Sequence, residues 1–327
     1  MLNISRSAIL VATTAAMALP TVALAGGPTV YGKANVSIGF VNDDTGDGQR
    51  MDTNASRLGV KGAIDASEGL SVTYKYEMQV DVTEANATNL TGRNQYVGLK
   101  GSFGQFRFGR HDTPYKLSLK QFDMWADTDL DYNNIISEDV DKRNGDTIYY
   151  VNKMDKLTLD VSYTLGDGDE SVDPNDGNGS WLALGAAYKE GPLFVGGAYT
   201  SEDDGESAFK IGASYAFGAA NIGLVYESLD DGDALQDESN IWATMTYKIN
   251  PKNKLKLAIG QKSVDNDADN SGLDTDRTLF VLGIDHKLAD KVTLYFAAAS
   301  GSDWGLEDKA NLDGDSSVVM GGMIVKF

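Results

Sequence analysis

The feature that most constrains this chain is a hydrophobic period of two residues that recurs along most of its length. In residues 72–82, Val, Tyr and Met alternate strictly with Thr, Lys, Glu, Gln and Asp, and residues 157–165 show the same pattern. Such alternation is typical of a β-strand with one apolar face and one polar face. No segment beyond residue 26 is long and apolar enough to predict a membrane-spanning helix.

Sixteen alternating segments can be counted between turn signals. The predicted strands lie near residues 29–41, 55–66, 69–82, 92–102, 104–111, 145–154, 156–166, 180–190, 191–200, 207–217, 219–229, 239–249, 253–264, 277–288, 290–300 and 316–327.

The connections between these segments are short and long in turn. The long connections are 42–54, 83–91, 112–144, 167–179, 201–206, 230–238, 265–276 and 301–315. Short turns at one end and long loops at the other are typical of outer-membrane barrels, and strands of about ten residues can cross the hydrocarbon when tilted. The sequence therefore predicts an all-β fold, a 16-stranded antiparallel transmembrane β-barrel with short periplasmic turns and long extracellular loops. A barrel of this size encloses an aqueous channel.

Charge and composition exclude several classes of function. Asp and Glu total 48 against 28 Lys and Arg, so the formal net charge is −20, which argues against a nucleic acid partner. The chain has no Cys and two His, and it contains no nucleophile elbow, phosphate-binding loop or zinc-protease motif. We therefore expect a protein that is not an enzyme and has no cofactor. The net acidity alone would favour a modest cation preference, although the narrowest part of a channel decides its selectivity.

The first 25 residues predict a cleaved signal peptide. Arg6 precedes an apolar run from residue 9 to residue 19, and Ala23-Leu24-Ala25 has the small-x-small pattern of a cleavage site. The remaining residues, 26–327, are predicted to form one transmembrane barrel domain.

Several local motifs resemble the general diffusion porins of Gram-negative outer membranes. They are Tyr31-Gly32-Lys33 at the start of the first strand, the segments 56–62 and 104–110, and a last strand that alternates to Phe327. The resemblance implies a homotrimer in the outer membrane, in contact with lipid and lipopolysaccharide, which passes ions and small hydrophilic solutes by passive diffusion. It also implies that the outer-membrane assembly machinery recognises the strand ending in Phe327.

The resemblance further implies that the third long connection, 112–144, folds into the barrel and narrows it. Acidic residues of this loop would then face basic residues of the wall, and the candidates on the acidic side are Asp123, Asp127, Asp129 and Asp131. The candidates on the basic side are Arg57, Arg110 and Arg143, which the resemblance implies, together with Lys61 and Lys75 on lumen-facing phases of their strands. Arg110 shares the parity of Phe108, so it reaches the lumen only if its strand ends or bulges there.

Three alternatives remain open at this stage. The arginines could form wall salt bridges without a role in transport. The channel could be substrate-specific, with a ladder of aromatic or basic residues along one path. The chain could also be a barrel or an adhesive β-protein that transports nothing.

The loop 265–276 raises the possibility of a divalent cation site. Asp265, Asp267, Asp269 and Asp276 occupy positions 1, 3, 5 and 12 of an EF-hand-like loop. Asn270 stands where such loops have Gly, and no helices flank the segment. Bound Ca²⁺ or Mg²⁺ is therefore an alternative to an ordinary solvated loop.

Overall fold

The computed structural model describes residues 27–43, 46–83, 89–137, 140–166, 179–203, 205–230, 232, 237–265, 276–302 and 315–327. The predicted signal peptide, 1–25, lies outside these residues. Among the helices of the described part of the chain, none is both long and apolar enough to cross a membrane.

The described chain is almost entirely β-structure. Its strands are β1 (Thr29–Asp43), β2 (Gly46–Thr53), β3 (Arg57–Ser67), β4 (Leu70–Val80), β5 (Leu90–Gly101), β6 (Gly104–Asp112), β7 (Arg143–Met154), β8 (Leu157–Thr164), β9 (Trp181–Glu190), β10 (Leu193–Glu202), β11 (Ser207–Phe217), β12 (Ala220–Asp230), β13 (Asp237–Lys248), β14 (Asn253–Asp265), β15 (Arg277–Ala289), β16 (Val292–Ser302) and β17 (Ser316–Lys326). One short helix, α1 (Pro114–Ser118), and two 3₁₀ turns, Lys120–Phe122 and Tyr132–Asn134, lie between β6 and β7.

The sheet closes on itself through its first and last strands. β17 pairs with β1 in antiparallel register from Lys326 opposite Lys33 to Ser317 opposite Asn42. Gly32 and Phe327 exchange backbone hydrogen bonds of 3.0 and 3.1 Å, which extends the seam to the last residue. Closure pairs the backbone groups that an open sheet edge would expose, which a bilayer requires of any spanning structure.

The predicted number of sixteen strands is confirmed, although the sheet contains seventeen separate segments. β2 pairs with one half of β1 and β3 pairs with the other half, so these two segments share one position in the barrel. The break between them includes Ala55, whose φ of 43° lies in the left-handed region.

The predicted long connection 42–54 is wrong, because β2 occupies most of it. Asp and Gly are depleted in strands, so this Asp- and Gly-rich segment reads as a loop. Pairing with β1 overrides that local preference, since it supplies backbone partners along the whole of β2. Only residues 44 and 45 separate the two strands.

The two faces of the wall differ as the alternation predicts. Outward-facing residues such as Ile211 and Leu224 are apolar and about half exposed, at 53% and 54%. Their inward neighbours Lys210 and Glu227 are completely buried. The outer face is therefore an apolar layer one side chain thick. The inward side chains are buried because another segment of the chain packs against them inside the lumen.

Candidate functional site: the narrowed lumen

Residues 113–142 are here called the third loop, and their described part, 113–137 and 140–142, lies inside the barrel. Thr113 caps α1 by accepting a hydrogen bond from the backbone N–H of Lys116 at 3.2 Å, and Pro114 occupies the first turn. The loop then crosses the lumen and contacts the inner faces of β10–β17. These residues make up most of the segment 112–144, which the sequence analysis expects to fold inward.

The apolar side of the third loop forms the hydrophobic core of the molecule. The loop contributes Leu119, Phe122, Trp125, Leu130, Tyr132, Ile135 and Ile136. The wall contributes Val225, Trp242, Leu279, Val281, Val318 and Met320, among others. Trp242 also donates its indole N–H to the carbonyl oxygen of Phe122 at 3.2 Å, which satisfies a polar group inside this core.

Small residues on the wall make room for the loop. We call the following lumen-facing glycines the glycine seat: Gly185, Gly196, Gly212, Gly223, Gly260 and Gly283. A Cβ atom at Gly260 would lie 2.7 Å from Ile135 Cγ1, and one at Gly196 would lie 3.1 Å from Leu119 Cδ2. These positions lie on four adjoining strands, β9–β12, and on two further adjoining strands, β14 and β15. The loop therefore approaches the backbone closely on both sides of β13, whose Trp242 contacts it directly.

Two buried charges on the wall, Glu227 and Lys210, hold the third loop through hydrogen bonds. We call this pair the latch. Glu227 accepts hydrogen bonds of 2.6 Å from the Tyr115 hydroxyl, the Ser137 backbone N–H and the Ser137 hydroxyl. Lys210 lies directly opposite Glu227 in the β11–β12 register and donates to Ser137 Oγ at 2.7 Å. Removing one partner of such a buried pair leaves an uncompensated charge, which typically costs about 3–5 kcal/mol.

The other side of the third loop faces a basic part of the wall. Asp127 Oδ2 lies 2.7 Å from Lys33 Nζ and 2.5 Å from an Arg57 guanidinium nitrogen, and Asp127 Oδ1 lies 3.9 Å from Arg93. Asp129 pairs with Arg50 of β2. Burial alone would raise the pKa of Asp127, but Lys33 and Arg57 lower it below its usual value. Asp127 is therefore ionised at neutral pH and bridges three wall cations.

Further charges continue along the same wall. Glu77 lies 3.1 Å from Lys75 and 3.3 Å from Arg93, and it accepts a hydrogen bond of 2.7 Å from the Tyr31 hydroxyl. Lys61 lies over the Tyr31 ring, 5.1 Å from its centroid. The predicted wall residues Lys61 and Lys75 thus meet at Tyr31 rather than at the loop carboxylates.

Arg143 and Arg110 lie beside this group but do not pair with the third loop. Arg143 Nε lies 2.8 Å from Asp112 at the junction of the loop and the barrel. The register of β6 shifts between Gly109 and His111, so a strand irregularity occurs where Arg110 requires one to reach the lumen. In the described part of the chain, Arg110 has no acidic partner within ion-pair distance.

The four predicted loop acids separate into two pairs. Asp127 and Asp129 face the wall cations, whereas Asp123 and Asp131 lie within the loop. Asp131 accepts hydrogen bonds from the backbone N–H groups of Asp127 and Asn133, at 2.8 and 3.0 Å, so it shapes the turn that presents Asp127. Burial raises the pKa of Asp131 to about 6. Burial, together with Asp131 and Asp127 nearby, also raises the pKa of Asp123.

Sequence reasoning missed several of the interacting residues. Lys33 lies on the polar phase of the first predicted strand, so its parity could have identified it. Arg50 fell within the segment predicted to be a loop. Arg93 shares the parity of outward-facing Val97, and it turns inward because two residues of β5 lie opposite Glu77 at a bulge.

The predicted cation site falls largely outside the described residues, since Asp267 and Asp269 lie in the segment 266–275. Asp265 ends β14, and Asp276 accepts a hydrogen bond from the Val264 backbone N–H at 2.9 Å. Among the residues that the structure describes, no group of three or more His, Asp or Glu side chains is arranged to hold a metal ion.

Comparisons with known proteins agree with this architecture. A family model described as Gram-negative porin matches residues 12–304. Outer membrane porin protein 32 of Delftia acidovorans is 26% identical over 234 residues, which cover 60% of this chain and 62% of that protein. Outer membrane protein U of Vibrio vulnificus is 27% identical over 48% of each chain. The chain thus spans less than two thirds of the length of these curated relatives.

Solved structures show the same fold. The anion-selective porin from Comamonas acidovorans superposes with a TM-score of 0.77 at 19% identity, covering 92% of this chain and all of that one. A loop-deletion variant of the Vibrio cholerae outer membrane protein OmpT gives a TM-score of 0.70 at 21% identity, with 93% of this chain covered.

The chain belongs to the Gram-negative porin family, a class of outer-membrane β-barrel proteins. Its location is therefore the outer membrane, as the sequence predicts. Proteins with this family's fold are channels rather than enzymes.

The glycine seat predicts a local packing cost. Gly223→Ala places a methyl group 2.9 Å or less from the Phe122 ring, so we expect it to destabilise the packed loop by about 1–3 kcal/mol. Thermal unfolding in detergent, followed by near-ultraviolet circular dichroism of the buried tryptophans, measures the effect. Gly321→Ala is the matched control, because its Cβ would meet no atom closer than 3.7 Å. Equal unfolding temperatures for the two variants would contradict the claim that the loop packs closely against the glycine seat.

The latch predicts that Glu227 keeps the third loop closed against the wall. Glu227→Ala leaves Lys210, Tyr115 and Ser137 without their buried acceptor, so loop opening should increase about a hundredfold. Limited trypsin digestion at Lys116 and Lys120 of the folded protein reports this opening.

Glu190→Ala is the control for that experiment, because it removes an exposed carboxylate at the β9–β10 turn. The idea fails if trypsin cleaves the loop of Glu227→Ala no faster than that of the parent or the control.

Proposed function

We propose that this protein is a general diffusion porin, which passes ions and small hydrophilic solutes passively through a water-filled lumen. The single observation that carries the proposal is the contact of Asp127 in the third loop with Lys33, Arg57 and Arg93 of the wall, inside the narrowed lumen. Charged groups fixed along one side of a water-filled passage create a field across it. Such a field orients dipolar solutes and disfavours bulky apolar ones.

We further propose that the passage prefers anions. The basic residues along this part of the wall are Lys33, Arg50, Arg57, Lys61, Lys75, Arg93, Arg107, Arg110 and Arg143. The acidic residues beside them are Asp52, Glu77, Asp112, Asp127, Asp129, Asp131 and Asp160. The local excess is positive, which is the opposite of the net charge of the whole chain. Selectivity follows the charges that an ion meets at close range, so the local excess governs it.

The likeness to the anion-selective porin from Comamonas acidovorans supports this reading. Anion selectivity is a property of that protein, and the present chain shares its fold. The basic side chains of the present chain supply the independent physical argument.

A substrate-specific anion channel is the second candidate function. Below the loop contacts, Arg107 is held between the rings of Tyr96 and Tyr149, at 5.2 and 5.1 Å from their centroids. The basic residues thus continue along one path from Arg57 past Lys75 to Arg107, which is the ladder that a specific channel would use. Flux that saturates for one anion and stays linear for others would favour this alternative.

The partners of the protein follow from the same proposal. We propose a homotrimer in contact with outer-membrane lipid and lipopolysaccharide, which the assembly machinery recognises through the strand ending in Phe327. Ca²⁺ or Mg²⁺ bound by acidic loop residues is a further proposal, which unfolding with and without a chelator would test.

Bilayer recording of the purified protein tests the channel and its selectivity together. We expect steady conductance steps and, across a tenfold KCl gradient, a reversal potential of the sign that chloride preference gives. Arg57→Glu replaces a positive charge with a negative one beside Asp127, so it should reduce the chloride-to-potassium permeability ratio severalfold. Lys156→Glu at the exposed β7–β8 turn is the matched control and should leave the ratio unchanged. An absence of conductance would overturn the channel, and potassium preference in the parent would overturn the proposed selectivity.

The pKa of Asp131 predicts a pH dependence of this ratio. With a pKa of about 6, the Asp131 carboxylate goes from about nine-tenths ionised at pH 7 to about one-tenth at pH 5. Protonation removes a negative charge next to Asp127, so chloride preference should rise as the pH falls through 6. Asp131→Asn lacks the titrating group, so its permeability ratio should change less with pH. Identical pH profiles for the parent and the variant would rule out Asp131 as the source of the pH dependence.

A further inference from the structure

A side cavity of about 200 Å³ lies beneath the tip of the third loop, between the loop and the inner faces of β1 and β14–β17. Its lining includes Lys33, Asn35, Trp125, Lys256, Tyr295 and Lys326. Neither the latch pair nor its loop partners Tyr115 and Ser137 line this space. The cavity is large enough for a small organic molecule, since a water molecule takes up ~30 Å³ of the liquid.

A row of three cations crosses the wall beside the cavity. Lys326 of β17 lies directly opposite Lys33 of β1, and Lys33 lies directly opposite Arg57 of β3. Directly opposed residues on antiparallel strands point to the same face, and like charges in such pairs destabilise the sheet. The row therefore needs negative charge from another part of the molecule or from a solute.

The third loop supplies part of that negative charge. Asp127 pairs with both Lys33 and Arg57, at 2.7 and 2.5 Å, and brings one negative charge to the row. The Lys326 ammonium group has no acidic partner within ion-pair distance anywhere in the described chain. Three cations against one carboxylate leave the row positive, and Lys326, the member without an acidic partner, lines the cavity.

The remaining charges of the cavity compensate one another. Lys256 Nζ lies 2.7 Å from Asp285 and donates to the Met124 carbonyl oxygen at 2.9 Å, so its charge is matched. Asp123 also lines the cavity, and burial raises its pKa, which reduces the negative charge that it contributes. Lys326 is therefore the cation that an anionic ligand in the cavity would meet unpaired, and one carboxylate is enough to pair with it.

The rest of the lining is amphipathic. Trp125 and Ile324 supply apolar surface, and Tyr295, Asn35 and Thr128 supply polar atoms. A fully hydrated inorganic anion would gain little from the apolar surface, whereas a short hydrocarbon body would bury part of its area there.

We propose that this side cavity binds a small monocarboxylate, with the carboxylate on Lys326 and Lys33 and the hydrocarbon body against Trp125 and Ile324. The inference rests on the proposed channel function, because the solute reaches the cavity through the lumen. Occupancy would make the passage of such anions saturable and would slow chloride while the carboxylate is bound.

Butyrate is the probe, and chloride current through the full-length protein in a planar bilayer is the readout. We expect butyrate to reduce the chloride current with a saturable dose dependence. Lys326→Gln should raise the half-blocking concentration about fivefold to tenfold, because it removes one charge-assisted contact. Lys291→Gln removes an equal charge from the exposed β15–β16 turn and should leave the half-blocking concentration unchanged.

A second variant covers the case in which Lys326→Gln does not assemble. Ala126→Leu fills the cavity from the loop side without changing its charge, so it should also abolish saturable block. Equal half-blocking concentrations in the parent and in these variants would overturn the site, and equal block by sulfate would overturn its assignment to a monocarboxylate. The reversal potential in KCl, recorded in the same bilayers, reports separately on the proposed anion preference, so the failure of one proposal can be distinguished from failure of the other.

Discussion

The packing of the third loop against the inner wall is the interaction on which the rest of the functional geometry depends. A closed barrel of this size has only single-layered walls, so it would otherwise enclose a wide aqueous space. Phe122, Trp125 and Ile135 bring the hydrophobic core into that space. This packing fixes the position of the loop carboxylates relative to the wall. Because the apolar side of the loop packs against one part of the wall, the charged side chains Asp127 and Asp129 face the opposite part.

Charge placement explains how an acidic chain can present a basic passage. The net charge of −20 counts carboxylates along the whole sequence, many of them in segments predicted to be loops between strands. Salt screens exposed charges that lie more than about 10 Å apart, so distant carboxylates contribute little to the field in the lumen. The wall cations Lys33, Arg57 and Arg93 lie within about 4 Å of one carboxylate in a confined space. An ion in this confined space passes close to these side chains, and the electrostatic interaction grows as the distance shrinks. The arrangement of the lumen charges therefore affects selectivity more than the net charge of the chain does.

The sequence predicted the barrel because strand periodicity is a local property that each segment displays by itself. It predicted the site less well, because the site depends on departures from that periodicity. Arg93 has outward parity, and a bulge in β5 turns it toward the lumen. Arg110 also has outward parity, and the register of β6 shifts beside it. The segment of β2 reads as a loop until its partner strand is known. Within the third loop no period exists, so the sequence could not separate Asp127, which faces the wall, from Asp131, which shapes the turn.

One sequence signal was present but could be interpreted only with the fold in hand. Gly196, Gly212 and Gly223 occupy the lumen-facing phase of three successive strands, where an aqueous wall would be expected to carry polar side chains. Glycine at such positions weakens a strand, so its repeated use there requires a compensating contact. The third loop provides that contact on one wall, while Asp127 pairs with cations on the other. Because one segment spans both, a change in the seat or the latch displaces the carboxylate that faces the basic wall, and packing at the back of the loop thereby controls the charge geometry at its front.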